Sequence, residues 1–471
     1  MQRQRSVDLI SDFLTEDIHF PTDTPPYDYL ISQLPLTQQE VEQLEIIHCE
    51  SFPNSQHWIT NSHGEVIACS VNQILLYITQ PEPDDNTLTF QDQFIRTFPS
   101  FARPIYVLGQ FYSRFFSTKD EFPDLKTLEK VQNRVVGLLS RWVRIAFYQF
   151  DSIMIRSVKY FCHYINTHSE YSKFSAILGP VLARLQGQSR QMRPTALPTP
   201  PINLPPGDPE SWTILSLSPL ELCRQITLHH FKMFREVTCF ELLTGIWGKE
   251  KGGGCPHLQI MTDHFNQFAN YIQQSILDQT AINKRASTIT YWSSVAYNFY
   301  MIFNFHGLFM VISALTHPSI TRLIQTQKIA DRLLETMNIS IQKLITICDI
   351  SNDFANYRIE IQRAKLPSIP YIGCVQKDLI YTQESFPNNY QNTDLINFSK
   401  CRKCFDLIKE VEKFQNQRYG YAEDERFQNL ITNLPPQKEL LDLMKKSQEL
   451  EPRDPNDGHR RSTLLSFFQS K

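Results

Sequence analysis

Ile380 and Glu384 stand four residues apart in a run that reads as helix, so one face carries an apolar side chain and, a turn later, a carboxylate. Taken alone, such a pair is usually one buried and one solvated residue. The flanking residues change that reading. Upstream lies Leu366-Pro367-Ser368-Ile369-Pro370-Tyr371-Ile372-Gly373; downstream a polar loop leads to a second helix beginning Leu395-Ile396-Asn397-Phe398-Ser399-Lys400. Prolines 367 and 370 cannot occupy a helix interior, so they fix where one helix stops and the next begins. The spacing predicts a helical hairpin whose first arm ends at Glu384. One face of that arm would present an apolar wedge and, a turn later, a carboxylate.

Other chemistries find little support. Lys249-Glu250-Lys251-Gly252-Gly253-Gly254 lacks the lysine-serine/threonine pair and the preceding strand of a phosphate loop, and reads as a connector. The nucleophile-elbow, zinc-protease and kinase patterns are absent, and the thirteen histidines are dispersed along the chain. Cys401 and Cys404 form a lone C-x-x-C on a predicted helix, which argues against zinc. No metal and no cofactor is expected. A net charge of −3 gives no general argument for nucleic acid or an anionic membrane.

The elements that must carry the hairpin are helical. Phe and Tyr are plentiful at 32 and 19, Gly is scarce at 15, and no strand-like alternation persists. Val131, Val135, Leu138, Trp142, Ile145 and Phe150 trace one apolar stripe at helical spacing. Ser218-Pro219-Leu220-Glu221 is a capping box with proline at the first helical position, and Thr238-Cys239-Phe240-Glu241 repeats the start signal. Residues 296–315 are apolar, but Asn298, Asn304 and His306 make them a buried core segment and not a membrane span. Cys162, Cys223, Cys239 and Cys348 sit in apolar periodic segments as small buried hydrophobes, and a reducing cytosol is the simplest setting.

The fold class predicted is all-α. Residues 1–60 form a partly ordered extension with one helical stretch at 38–47; 65–186 a first helical module; 187–211 a proline-rich linker; 212–455 a second helical domain; and 456–471 a tail.

The segment 352–419 resembles the catalytic domain of Ras-type guanine-nucleotide exchange factors, the Son-of-sevenless family. Its members carry P-x-(I/V)-P-(F/Y)-x-G, an acidic hairpin arm, L-I-N-F-x-K and F-Q-N-x-x-Y in that order. Here these are Pro367 to Gly373, Glu384, Leu395 to Lys400, and Phe414-Gln415-Asn416-Gln417-Arg418-Tyr419. Upstream, Phe94-Ile95-Arg96-Thr97-Phe98-Pro99-Ser100-Phe101, Arg134-Val135-Val136, Arg141-Trp142 and Phe147-Tyr148-Gln149-Phe150 resemble the Ras exchanger motif module that precedes such domains.

The resemblance implies a helical-bundle exchange domain with a protruding hairpin, acting on a Ras-subfamily small GTPase without covalent chemistry. Glu384 corresponds to the carboxylate that engages phosphate-loop groups, and Ile380 to the residue that occludes the magnesium site. Asn304 joins them as a catalytic position. Trp247, Asn266, Phe354, Lys377 and Lys403 match positions that meet the GTPase; for Trp247 and Asn304 a structural role is equally open. Arg322 is assigned to structure. Ser385-Phe386 replaces a Gly-Asn pair at the hairpin tip, Gln327 an aromatic residue, and Phe303 and His306 two asparagines. A GTPase-binding or scaffold protein with a degenerate exchange domain is the competing expectation. The factor would be cytoplasmic and reach a membrane through its partners.

Overall fold

The computed structural model describes residues 24–33, 53–117, 122, 124–185, 199–201, 204–205, 207–208, 211–244 and 255–452. The helix expected at 38–47, most of the proline-rich linker, Trp247, the glycine-rich connector and the C-terminal tail lie outside them. The chain divides into two compact units, residues 1–193 with 379–407, and residues 194–378 with 408–471. Residues 379–407, the distal part of the hairpin, fall in the first unit.

The first unit begins with α1 (Pro26–Ser32), the short strands β1 (Trp58–Thr60) and β2 (Val66–Cys69), and helices α2 (Val71–Ile78), α3 (Thr87–Thr97) and α4 (Pro104–Phe115). Then come α5 (Leu125–Ile145), α6 (Ser152–Thr167) and α7 (Ser175–Leu185). The apolar stripe read from the sequence is the core face of α5: Val131, Val135, Leu138 and Trp142 are buried there. Trp142 meets Phe98 edge-on at 5.3 Å and Phe150 at 4.7 Å between ring centroids. Its indole N–H donates to Gln149 Oε1 at 2.6 Å, which keeps a large aromatic buried without an orphaned donor. Arg141 grips Asp92 of α3 with two hydrogen bonds of 2.6 and 2.8 Å. The separate motifs of the first module thus pack on one another.

The second unit holds α8 (Pro219–Glu236), α9 (Cys239–Thr244), α10 (Pro256–Leu277), α11 (Ile282–Met301), α12 (Phe305–Leu315), α13 (Pro318–Thr321), α14 (Ile324–Thr336), α15 (Ile341–Ile347) and α16 (Ser351–Arg363). Helix α17 (Ile372–Ser385), strand β3 (Ile396–Asn397) and α18 (Phe398–Gln415) make the hairpin, followed by α19 (Glu425–Thr432) and α20 (Leu440–Leu450). At both start signals the N-cap half of the capping box is present: Ser218 accepts from the Glu221 N–H, and Thr238 from the Glu241 N–H. Residues 296–315 are split between α11 and α12, and among the described residues no helix is long and apolar enough to cross a membrane.

Near its C-terminal end the second unit is fastened by Glu451. Its carboxylate accepts the backbone N–H groups of Gln325 (2.9 Å) and Thr326 (3.0 Å), capping the first turn of α14, and pairs with the buried Arg285 guanidinium at 3.4 Å. Arg322 donates to the carbonyls of Ser447 and Glu451, in keeping with its structural assignment. Replacing Glu451 with alanine removes this cap and the carboxylate beside Arg285, whose bonds to Thr326 Oγ1 and the Gln279 and Thr280 carbonyls remain, so an expected cost of about 2 kcal/mol lowers Tm by roughly 4–8 °C. Scanning calorimetry of Glu451→Ala beside Glu451→Gln measures it, and an unchanged Tm for the alanine variant would remove this residue from the account.

Candidate GTPase-binding site

Four residues of α17 at spacing i, i+3, i+4, i+7 face solvent: Lys377, Ile380, Tyr381 and Glu384. Leu379 and Thr382 between them are buried. Ile380 is 40% exposed and Tyr381 68%, a large apolar surface for a free helix face. The arm ends one residue past the expected Glu384, at Ser385. Phe386 N–H still bonds the Thr382 carbonyl at 3.2 Å, so the altered tip residues continue the last turn.

The second arm begins differently from the sequence reading. Ile396 and Asn397 are extended, not helical, and pair antiparallel with β2, Cys69 opposite Ile396 and Ala68 opposite Asn397. Helix α18 starts at Phe398, whose buried ring stacks on Phe90 at 4.3 Å and 10°. Arg402 donates to the Val66 carbonyl at 2.9 Å. Across the tip, Lys400 Nζ donates to the Gln383 carbonyl (3.1 Å) and Asn388 Oδ1 (2.8 Å), and Asn397 Nδ2 to the Pro387 carbonyl (3.0 Å). Burial lowers the Lys400 pKa. The arm carrying Ile380 and Glu384 is therefore braced from behind by backbone and side-chain bonds. Lys403 is exposed on α18, while Cys401 and Cys404 of the lone C-x-x-C are buried in its first two turns.

At the hairpin's root the proline-rich run docks by backbone pairing. Ile369 N–H donates to the Phe303 carbonyl and Phe305 N–H to the Ile369 carbonyl, each at 2.9 Å. Tyr371 lies flat on Phe309, 3.9 Å between centroids and 3° between planes, and its N–H donates to the Tyr357 hydroxyl at 2.8 Å. A side chain at Gly373 would put Cβ 2.6 Å from Tyr371 Cζ, which explains glycine in that position.

The remaining expected site residues lie in the second unit. Asn266 is exposed on α10. Asn304 is fully buried at the N-cap of α12, its Oδ1 accepting from Gly307 N–H (2.9 Å) and its Nδ2 donating to Thr227 Oγ1 (2.9 Å). Phe354 is 7% exposed. Lys377 Nζ bonds Asp353 Oδ1 at 2.8 Å and lies 5.2 Å from the Phe354 ring centre. The sequence reading overlooked Tyr381, although the spacing of the exposed stripe was there to be counted.

It also overlooked a gathering of histidines. His230 (α8), His264 (α10) and His306 (α12) are buried, with ring centroids 5.2 Å apart for His230 and His264 and 5.1 Å for His230 and His306. His229 completes the group 4.7 Å from His264, and lines a cleft of about 360 Å³ with Lys232, Glu236 and His257. Among the described residues, His230 Nε2 and both ring nitrogens of His264 and His306 have no hydrogen-bond partner. Burial pushes His264 down to about 3 and His306 to about 4, and holds His230 well below the ordinary imidazole value.

The candidate site is thus an exposed face, apolar at Ile380 and acidic at Glu384, on a braced two-helix arm. Residues 221–402 match the RasGEF domain family. The match takes in the whole of α17 and stops one residue short of Lys403. The chain is similar to Ras guanine nucleotide exchange factor P of Dictyostelium discoideum, 28% identical over 77% of this chain and 25% of that protein. It is also similar to Protein son of sevenless of Drosophila melanogaster, 27% identical over 69% of this chain and 21% of that protein. Ras-specific guanine nucleotide-releasing factor 2 of Mus musculus is 29% identical over 52% of this chain and 20% of its own length. The aligned stretch thus spans only a quarter or less of these three relatives.

Proposed function

We propose that this chain accelerates nucleotide release from a Ras-subfamily small GTPase. The observation that carries the reading is the exposed face of α17, with Ile380 and Glu384 one turn apart on an arm braced from its other side. Ile380 would occlude the magnesium site, and the Glu384 carboxylate would take phosphate-loop donors that otherwise hold the nucleotide. Small GTPases bind nucleotide with affinities approaching picomolar, about 16 kcal/mol. By linkage, whatever the nucleotide costs the exchange factor in affinity, the exchange factor costs the nucleotide. Compensation on that scale needs a broad interface, about 2,000 Å² or more. Asn266, Lys403, Phe354, Lys377 and Trp247 are proposed to contribute to it. Asn304, sealed beneath α12, would act by holding that helix start in place.

The residues 65–186 are proposed as a Ras exchanger motif module, and recruitment to a membrane would come through the anchored GTPase. The chemistry is binding alone, with no bond made or broken.

Release of a fluorescent GDP from purified Ras, Rap and Ral-type GTPases tests the reading. The expected result is acceleration of one or a few of the panel. A folded protein that binds a GTPase yet accelerates none would instead establish the binding-only alternative.

A further inference from the structure

In the exchange reading above, on which this inference rests, Ile380 and Glu384 meet parts of a GTPase that do not distinguish one GTPase from another. A magnesium ion and a phosphate-cradling loop serve the same nucleotide throughout that class, so the groups that hold them are shared. A contact to shared groups adds equally to every complex, whereas selectivity is a difference between complexes. A side chain able to discriminate must therefore stand beside these two, at the edge of the same face. Helix α17 carries one there. Tyr381 is 68% exposed, and of the large apolar side chains among the described residues only Leu441 stands farther into solvent. Among the described residues its hydroxyl has no hydrogen-bond partner and its ring no aromatic or cationic neighbour. Leu379 and Thr382, which flank the pair Ile380 and Tyr381, are buried and seat this stretch of the helix. Tyr381 is not what folds it.

Ile380, Tyr381 and Glu384 all fall within residues 379–407 of one compact unit, and a single helix sets their spacing. Tyr381 leaves α17 about 100° round from Ile380, and Glu384 about 40° round, so the carboxylate projects between the two. The face is continuous: an apolar side chain, a charge, then an aromatic edge. We propose that Tyr381 is the specificity-determining residue of this face, packing against the favoured GTPase beside its phosphate loop. The patch it fits is apolar and carries one hydrogen-bonding group for the phenol. A tyrosine ring offers large, rigid contact area for little lost freedom, and such residues dominate binding energy at interfaces. Its hydroxyl needs a partner once buried, so a GTPase without that group forfeits affinity. The contact persists through the whole encounter, which places its effect on half-saturation and not on the maximal rate.

The experiment measures GDP release from the Ras, Rap and Ral-type GTPases by the full chain, and its affinity for each of them free of nucleotide. Wild type, Tyr381→Ala, Tyr381→Gln, Tyr381→Phe and Glu384→Ala are compared, with melting curves for each. For Tyr381→Ala the expected result is about a 10-fold loss of affinity for the favoured GTPase, with the maximal release rate changed less than about threefold. At least one other GTPase should lose more than about threefold less, so the preference narrows. Tyr381→Phe should recover most of the loss, and Tm should stay near that of wild type. Losses that agree within about threefold across the panel, while Glu384→Ala is inactive, would overturn the selectivity role and leave the exchange reading standing. A lower maximal rate at unchanged half-saturation would also overturn it, by moving Tyr381 into the exchange step. If Tyr381→Ala fails to fold, Tyr381→Gln decides in the same way. Wild type and Glu384→Ala equally inactive would overturn the exchange reading, and this inference with it.

Discussion

Glu384→Ala is expected to remove the acceleration of GDP release while leaving the melting temperature within about 1–2 °C of wild type. The asymmetry follows from where the side chain sits. Glu384 is exposed on α17, and truncating an exposed residue away from caps and buried contacts usually changes stability by less than about 0.5 kcal/mol. Against a GTPase the same carboxylate would be desolvated among phosphate-loop donors. Truncating one member of a buried, hydrogen-bonded charge pair costs about 2–5 kcal/mol, so the release rate should fall by about 30-fold to several thousand-fold. Glu384→Gln, which keeps the shape and loses the charge, should fall between. Ile380 is 40% exposed, so Ile380→Ala should also fold normally, and its effect on exchange separates the wedge from the charge. Stopped-flow release of fluorescent GDP together with calorimetry on the same samples provides both readouts. A variant at Glu384 that exchanges as fast as wild type would take the hairpin face out of the mechanism.

The local parts of this site could be read from the sequence, and the parts made by distant residues could not. The caps at Ser218 and Thr238 depend on residues three apart, and α5 shows its core face as a repeating stripe. Prolines 367 and 370 bound α17 for reasons contained in their own rings. Strand β3 is another matter. Ile396 and Asn397 look like a helix start, and they are extended because their backbone pairs with Ala68 and Cys69, more than 300 residues earlier in the chain. The cost of closing so long a loop leaves no periodic trace in either segment. Burial is hidden for the same reason. Asn304 and Phe354 match the family's site positions in sequence, and the structure seals one under α12 and folds the other against Phe309 and Tyr357. Histidines that are dispersed in sequence meet because α8, α10 and α12 pack together.

That meeting should make the second unit acid-labile well above the range where carboxylates titrate. His230, His264 and His306 are held neutral by burial, with His306 at about 4 and His264 at about 3 against 6.5 for a free imidazole. The neighbours sharpen this: His229 raises the cost of charging His264, and Lys232 adds to the burial that does so for His229. A base with a depressed pKa in the folded state binds fewer protons there than in the unfolded chain. Stability is therefore complete above about pH 6.5 and is lost as pH falls from there towards 4. Each such histidine forfeits about 1.4 kcal/mol per pH unit, so three together forfeit about 4. Domains of this size hold about 5–15 kcal/mol in all, which places unfolding of the second unit within roughly one to four units below pH 6.5. Asp84 and Asp424, whose pKa values are lowered, respond only below the ordinary carboxylate range and do not contribute between pH 6.5 and 5. Hydrogen–deuterium exchange at pH 7.5, 6.5 and 5.5, corrected for intrinsic rates, should show protection falling steeply in peptides from α10 and α12 while α5 changes much less. His306→Asn, which removes one proton-binding site, should reduce the slope of stability against pH by about a third, whatever it does to stability at pH 7.5. Equal protection of α10 and α12 at pH 7.5 and 5.5 would mean that the imidazoles charge within the fold without penalty, and burial would then not be what governs them.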